Sequence, residues 1–388
     1  MHRSTDRILT THVGSLPRPA DLYPMIETKQ EGGAIDEATF AARVKSAVAE
    51  VVKRQADAGI DIVADGEMGR VGFIPYVNER LTGIEPNPGQ PANYWAESRE
   101  YKAFPEFYAW AQGQPGAAGK AGRTRWMCTG PVTYKGHAAL AADIANLQAA
   151  RAGLNIVEAF MPAVSPANLV NWNHNLFYKT EEEYLYAVAE ALREEYRAVI
   201  EAGLILQVDD PLLSSYYVMH PEVSRDGWRQ WAGTRVAALN HALRGLPEDR
   251  IRHHTCYSIN IGPRVHDLEL KHIVETLLSI NAGAYSFEAA NPRHEHEWRV
   301  WEHVKLPEGK ALIPGVIIHS SNIVEHEELV AERICRFAKV VGKENVIAGA
   351  DCGFASFAAT CEVHPSVVWV KLAALTEGAK IASKELWR

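Results

Sequence analysis

Residues 180–211, TEEEYLYAVAEALREEYRAVIEAGLILQVDDP, contain the structural unit from which the fold is predicted. The first part predicts a helix, because Thr180 and Glu183 have the spacing of a capping box at a helix start. Gly203 is the residue type that most often follows the last turn of a helix. The apolar run over 204–211 predicts a buried strand that ends in polar residues. The stretch therefore predicts a helix followed by a glycine, a strand and an acidic strand end.

The same unit recurs elsewhere in the chain. A helix predicted over about 36–58 is followed by a glycine and a strand at 61–67. A helix predicted over about 325–341 is followed by a glycine and a strand at 345–351. Regular alternation of helices with apolar strands predicts a parallel sheet with the helices packed outside it.

Nine segments are strand candidates: 7–15, 61–67, 124–131, 155–162, 204–211, 251–257, 284–290, 311–318 and 345–351. Eight strand–helix units close a TIM-type (β/α)8 barrel, so one candidate is expected to lie outside it. We choose 155–162, because the sequence after it, PAVSPANLVNWNHN, is typical of a long loop. An open, doubly wound sheet is the alternative, but no GxGxxG motif follows a strand.

The whole chain, 1–388, is predicted to be a single catalytic barrel domain, interrupted once near residues 71–122. This stretch is rich in proline and glycine and contains an aromatic segment, YKAFPEFYAW, at 101–110. Long segments inside compact domains are usually functional or disordered. Its aromatic residues favour an ordered insertion near the mouth of the barrel.

Composition restricts the functional class. The chain has 388 residues and a formal net charge of −8, which gives no general attraction to nucleic acid or to anionic membranes. It has no apolar run of about eighteen residues that would predict a membrane-spanning helix. Five cysteines are too few for a disulfide framework. We therefore expect a cytoplasmic enzyme that acts on small molecules, with a homo-oligomer left open.

A candidate metal site is distributed over several strand ends. The stretch RHHTCYSIN, 252–260, places His254 and Cys256 two residues apart, so both side chains point to the same face of a strand. Glu288 and Cys352 stand at the ends of later strands. In a parallel barrel these ends meet at one mouth. An imidazole, two thiolates and a carboxylate suit tetrahedral Zn²⁺.

Simpler interpretations of the cysteines stay open. An isolated His-x-Cys pair is often a packed cysteine beside an ordinary histidine. Cys335, on a predicted amphipathic helix, is expected to be a core residue. Cys361 and His364, in the sequence CEVH, are a competing ligand pair.

Eight motifs occur in an order that identifies a resemblance: TTHVGSLPRP, DGE, TGPVT, QVDDP, HTCYS, SFEA, PGVIIHS and ADCG, between residue 10 and about residue 354. In these motifs the chain resembles the zinc-bearing catalytic barrel of the cobalamin-independent methionine synthase family. The resemblance implies the zinc ligands His254, Cys256, Glu288 and Cys352. It implies that the polar head of a thiol substrate is held by Ser15, Glu67 and Asp209. It also implies that His319 is a proton donor near the transferred group.

The function that the resemblance implies is zinc-dependent alkyl transfer, specifically methyl transfer, to a thiol, with homocysteine as the acceptor. In the long synthases a tryptophan thought to stack on the folate pterin follows GPVT by four residues, whereas here that position is His137. The usual Asp-Glu pair before proline is Asp209-Asp210. These departures leave the donor open between a methylated folate and another alkyl donor.

Three other functions remain as alternatives. An epoxyalkane–coenzyme M transferase, or another alkyl–thiol transferase, would bind a sulfonate, for which Arg18 and Arg70 are available. A porphyrinogen decarboxylase-like barrel would use no metal. A non-catalytic binding protein stabilised by zinc would unfold when the metal is removed.

Overall fold

A computed structural model describes residues 1–30, 33–91, 95–112, 124–258, 262–358 and 363–388. The strands are β1 (Leu9–Thr10), β2 (Ile62–Val63), β3 (Ile84–Pro91), β4 (Thr124–Cys128), β5 (Glu158–Val164), β6 (Asn173–Asn175), β7 (Ile205–Asp209), β8 (Ile251–Thr255), β9 (Ala284–Phe287), β10 (Ala311–Ile317) and β11 (Ile347–Ala350). The α-helices are α1 (Leu22–Gln30), α2 (Glu37–Asp57), α3 (Pro75–Asn78), α4 (Arg99–Ala103), α5 (Pro105–Gln112), α6 (His137–Arg151), α7 (Pro166–Trp172), α8 (Glu181–Glu201), α9 (Pro211–Met219), α10 (Arg225–Leu243), α11 (Leu270–Leu278), α12 (Glu327–Val341) and α13 (Pro365–Leu386).

Within this part of the chain, eight strands form a parallel sheet in the order β1-β11-β10-β9-β8-β7-β5-β2. A parallel bridge between Thr11 and Ile62 joins the two ends of the sheet. The ring is therefore closed, with helices outside it, and the predicted (β/α)8 barrel is confirmed.

The choice of 155–162 as the strand outside the barrel is wrong. β5 lies between β2 and β7, and all seven of its residues are buried. The outside candidate is 124–131, since β4 pairs antiparallel with β3 and parallel with β6 in a separate sheet.

Two local features explain this error. The stretch 162–175, expected to be a long loop, contains α7 and β6. The partner strand β3 contains several prolines, which lack an N–H donor and are tolerated at a sheet edge. Its composition therefore resembled that of a loop, and the pairing that removes β4 from the barrel was not visible in the sequence.

Helix α8 begins as predicted. Thr180 Oγ1 accepts a hydrogen bond from the Glu183 N–H at 3.1 Å, and the Glu183 carboxylate accepts one from the Thr180 N–H at 3.3 Å. Gly203, just after the helix, has φ +77°, a conformation that costs glycine little. The capping box and the glycine position α8 so that β7 enters the barrel directly afterwards.

The apolar core has two layers. Residues in or directly after the barrel strands form a small cluster, namely Leu9, Ile62, Ala64, Phe160, Ile205, Ala284, Ala311, Ile313 and Ile347. Alternate strand residues belong to a larger cluster shared with the helices. The two layers hold the strand ends in a fixed arrangement around the mouth.

The described part of 71–122 packs against segments that follow barrel strands. Glu100 in α4 is buried, and its carboxylate accepts hydrogen bonds from the N–H groups of Arg264 at 3.1 Å and His266 at 2.8 Å. Arg99 donates to the Tyr217 carbonyl at 2.9 Å. These contacts place α4 on the mouth side of the barrel. Residues 92–94 and 113–123 lie outside the described part.

None of the described helices combines the length and the apolar character needed to cross a membrane.

Candidate active site

The predicted site residues all lie at or just beyond the carboxyl ends of barrel strands. Asp209 ends β7 and His254 lies in β8, while the others follow a strand: Ser15, Glu67, Cys256, Glu288, His319 and Cys352. All of them are buried. The strand ends of a parallel barrel converge, so these side chains share one mouth.

His254, Cys256 and Cys352 form a compact cluster, in which one donor atom of each lies within 4.8 Å of the others. The two sulfur atoms are 3.2 Å apart. The hydrogen bond to Cys256, together with burial, raises the pKa of Cys352 well above its usual value. The sequence placed His254 and Cys256 on one strand and Cys352 at the end of another, and the structure brings the three together.

The histidine of this cluster is oriented by a neighbour. His254 Nδ1 lies 3.1 Å from Ser286 Oγ. The other ring nitrogen, Nε2, is buried and has no hydrogen-bond partner among the described residues. A buried polar atom without a partner costs about 1–3 kcal/mol, so a missing partner is expected there. An imidazole with a nitrogen in this state, in one cluster with two thiols, fits a zinc ion.

Glu288 lies in a neighbouring group with His319 and Asp351, in which one donor atom of each again lies within 4.8 Å of the others. The structure thus unites three of the four predicted ligands and places the fourth in the adjacent group. The two groups are joined through the backbone, because the Glu288 carboxylate accepts a hydrogen bond at 2.6 Å from the N–H of Tyr257, the residue after Cys256.

The other oxygen of Glu288 is also held. It accepts hydrogen bonds from Arg264 Nη1 at 2.9 Å and from Asn291 Nδ2 at 2.6 Å. Burial alone would raise the pKa of Glu288, but the charge and hydrogen bond of Arg264, together with the neighbouring histidines, hold the pKa below its usual value. Glu288 is therefore a fixed, ionised carboxylate at the edge of the cysteine cluster.

His319 is fully buried, and neither of its ring nitrogens has a hydrogen-bond partner in the described part of the chain. Burial lowers its pKa to about 4, so the ring is neutral near pH 7. A neutral imidazole carries one proton and can accept another.

Glu67 and Asp209 form an acidic pocket beside Ser15. Glu67 has φ +58°, a strained conformation of a kind that clusters at functional sites, and its Oε2 is buried with no partner among the residues described. Burial raises the pKa of both carboxyl groups, and the charge of Glu67 raises that of Asp209 further. A Cβ atom at Gly353 would lie 2.0 Å from Ser15 Oγ, so Ser15 packs against the segment that carries Cys352.

The two arginines considered for a sulfonate are partly committed to the backbone. Arg18 donates to the carbonyls of Ala355 at 2.9 Å and Arg70 at 2.8 Å. Arg70 Nη1 donates to the Pro162 carbonyl at 2.8 Å, while its Nη2 has no partner among the described residues.

Three contributors to the site were not predicted. Ser286 lies two residues before Glu288 on a strand, so period-two alternation could have indicated it. Asp351 precedes Cys352 and accepts hydrogen bonds from the N–H groups of Ala289 and Ala290, both at 2.8 Å. Arg264 lies in a loop, and no local pattern indicates its contact with Glu288.

Cys335 and His137 lie apart from this cluster. Cys335 is buried on α12, as expected for a core residue. Cys361 lies outside the described residues, so its pairing with His364 stays a prediction. The exposed side chain of His137, at the start of α6, lies 3.2 Å from Glu194.

A buried histidine next to the site predicts a pH-dependent stability. His294 lies 2.8 Å from Glu297 and 3.1 Å from Asp267. Burial alone would lower the pKa of His294, but the two carboxylates raise it to about 9. The ordinary pKa of a histidine is about 6.5. Protonated His294 therefore stabilises the folded state fully below about pH 6.5, and this stabilisation is lost as the pH rises through 9. It amounts to at most roughly 3 kcal/mol.

We expect urea unfolding of wild type and His294→Gln to differ most at pH 6 and least above pH 9. A difference between the two proteins that does not change with pH would contradict this assignment.

A family model described as the catalytic domain of cobalamin-independent synthases matches residues 8–103 and 165–374. The matched stretches make up more than half of the chain and contain every predicted site residue. The chain belongs to the cobalamin-independent methionine synthase family. The stretch between them, 104–164, which includes β4, the GPVT motif and His137, lies outside the match.

Relatives within the family include two that differ in length. A 5-methyltetrahydropteroyltriglutamate–homocysteine methyltransferase of Thermotoga petrophila is 25% identical over 357 residues, covering 89% of this chain, which spans only 41% of that protein. A methionine synthase of Saccharolobus islandicus is 25% identical over 383 residues, covering 98% of this chain and 96% of the relative.

Two solved structures share the fold. A B12-independent methionine synthase from Shewanella sp. W3-18-1, in complex with selenomethionine, has a TM-score of 0.74 at 21% identity and covers 98% of this chain and 99% of its own. A putative vitamin-B12-independent methionine synthase from Listeria monocytogenes has a TM-score of 0.66 at 20% identity and covers 97% and 98%.

Proposed function

We propose that this protein transfers a methyl group to the thiol of homocysteine, using a zinc ion bound by His254, Cys256, Cys352 and Glu288. One observation carries the proposal: a ring nitrogen of the buried His254 lies within 4.8 Å of two thiol sulfurs at a barrel mouth, and its Nε2 has no hydrogen-bond partner among the described residues. The names of the relatives support methyl transfer to homocysteine as the reaction.

When bound, zinc would supply the positive charge that makes a thiol sulfur anionic at neutral pH, where a free thiol is mostly protonated. The protein residues orient the donors: Ser286 fixes the ring of His254, and Arg264 and the Tyr257 N–H fix the carboxylate of Glu288. Such hydrogen-bonded support typically changes metal affinity or activity by about 10–100-fold.

The acidic pocket suits an amino-acid thiol. Glu67 and Asp209 are two buried carboxylates near one another, and an ammonium group would relieve the repulsion between them. The partnerless Nη2 of Arg70 is available for the carboxylate of the same substrate. Homocysteine carries both groups, which is why we prefer it as the acceptor.

His319 is the residue we assign to proton transfer. The thiol of the acceptor loses a proton, and the leaving atom of the methyl donor must gain one. A neutral imidazole whose two nitrogens have no partner in the described part of the chain can hold that proton between the two events. We therefore restrict the donor to a methylated compound whose leaving group requires protonation.

A second candidate is alkyl transfer to a sulfonate thiol such as coenzyme M. The partnerless nitrogens of Arg18 and Arg70 favour it, since guanidinium groups bind sulfonates well. The two carboxylates of the acidic pocket oppose it, because they would repel a sulfonate.

Calorimetric titration of the zinc-loaded protein distinguishes the candidates. We expect homocysteine to bind at least about tenfold, or about 1.4 kcal/mol, more tightly than coenzyme M. Removal of zinc with a chelator is expected to abolish thiol binding and to leave the protein folded, because the large apolar core does not depend on the metal. Tighter binding of coenzyme M would support the second candidate, and unfolding on chelation would favour a structural role for the metal.

A further inference from the structure

A fully buried arginine lies inside the barrel beneath the acidic pocket. Arg252, in β8, donates from Nε to Gln207 Oε1 at 2.7 Å, from Nη1 to Thr11 Oγ1 at 2.9 Å and from Nη2 to the His12 carbonyl at 2.7 Å. Its guanidinium lies 3.4 Å from the centre of the Phe160 ring. All three hydrogen-bond acceptors are neutral, so these contacts leave the positive charge without a directly bonded carboxylate.

The arginine determines which way Gln207 faces. A guanidinium group only donates hydrogen bonds, so Gln207 must turn its carbonyl oxygen towards Arg252. The amide nitrogen of Gln207 is then directed towards the Val13 carbonyl and Asp209 Oδ1, the latter at 2.7 Å. With the opposite orientation, an amide oxygen would face a carboxylate and a carbonyl.

We propose that Arg252, acting through Gln207, is a positioning residue for Asp209 and thereby sets the selectivity for acceptor thiols that carry an ammonium group. The inference rests on the proposed function, in which Asp209 contacts that ammonium. Gln207 fixes one oxygen of the Asp209 carboxylate, and the direction of the other oxygen follows from it.

Charge supports the same assignment. Burial and the charge of Glu67 both raise the pKa of Asp209, whereas the charge of Arg252 opposes them. The amide of Gln207 is the link between the two groups, since it bonds Arg252 with its oxygen and Asp209 with its nitrogen.

Two variants separate positioning from simple packing. Arg252→Met removes the cation and frees Gln207 to rotate. Gln207→Glu keeps an acceptor for Arg252, and even gives it a charged partner, but replaces the N–H donors to Asp209 by a second carboxylate. A purely structural role of Arg252 would be preserved in Gln207→Glu, while a positioning role would be lost.

The test compares homocysteine with 4-mercaptobutyrate, which lacks only the ammonium group, by calorimetry on zinc-loaded proteins of verified metal content. The quantity compared is the dissociation constant of 4-mercaptobutyrate divided by that of homocysteine. In both variants we expect this ratio to fall about tenfold or more, as for loss of a hydrogen bond to a charged group. The fall should come from weaker binding of homocysteine, with the binding of 4-mercaptobutyrate nearly unchanged. Arg252→Lys, which keeps the cation, should recover part of the ratio.

An unchanged ratio in Gln207→Glu would overturn the inference, and this variant decides the question if Arg252→Met does not fold. Equal weakening of both thiols in Arg252→Met would also overturn it. If the wild-type protein itself does not distinguish the two thiols, the proposed function fails and the inference fails with it.

Discussion

Replacing Cys352 with serine is expected to lower the affinity for zinc by roughly 10²–10³-fold. If an apparent binding free energy of about 10–16 kcal/mol is shared among four ligands, each contributes about 2.5–4 kcal/mol. A serine hydroxyl stays protonated near pH 7 and is a poor zinc ligand. The same change at Cys256 should have the same effect, because the two sulfurs are only 3.2 Å apart in one cluster. Competition with a chromogenic chelator measures the affinity.

Cys335→Ala is the matched control. This cysteine is also buried, but it lies on α12 outside the cluster. We expect it to bind zinc like wild type, even if it lowers the midpoint of thermal unfolding. Unchanged zinc affinity in both Cys352→Ser and Cys256→Ser would remove the basis of the proposed site.

Replacing His319 with glutamine or asparagine is expected to lower kcat by about 10²–10⁴-fold, the usual contribution of a positioned acid–base group. Each amide side chain keeps a polar atom near the position that one ring nitrogen occupies in wild type, but it cannot exchange a proton at neutral pH. The affinities for zinc and homocysteine should change little, because this role belongs to the chemical step. The measurement is kcat with a methyl donor that supports turnover by wild type, alongside calorimetric titrations of both ligands.

This prediction separates proton transfer from support of the metal site. A His319 variant that loses zinc would show that the ring holds the neighbouring Glu288 rather than a proton. A kcat within about threefold of wild type would exclude an acid–base role, since the contribution expected of such a group is far larger.

The barrel could be predicted because its repeated unit is local. Capping residues, a glycine and an apolar run lie within the 32 residues around α8 and β7, and the structure forms them where the sequence indicates. The identity of the strand outside the barrel could not be predicted, since β4 leaves it by pairing with β3. That pairing depends on tertiary contacts and on a proline-containing edge strand.

In the site, too, some residues could be predicted from the sequence and others could not. Polar residues at strand ends were visible because the barrel rule brings strand ends together. The residues that orient them were not: Arg264 is 24 positions from Glu288, and Arg252 is 45 positions from Gln207. Hydrogen bonds at such separations follow from the packing of loops and barrel interior, for which the sequence contains no local pattern.

In the function proposed here, the two cysteines and His254 would hold a zinc ion that binds the sulfur of homocysteine. The zinc-edge X-ray absorption spectrum of the purified protein, recorded with and without homocysteine, tests it most directly. We expect zinc to have two sulfur neighbours, with nitrogen and oxygen, before homocysteine is added, and a third sulfur neighbour afterwards. A first shell without sulfur, or one that gains none when homocysteine is added, would contradict it.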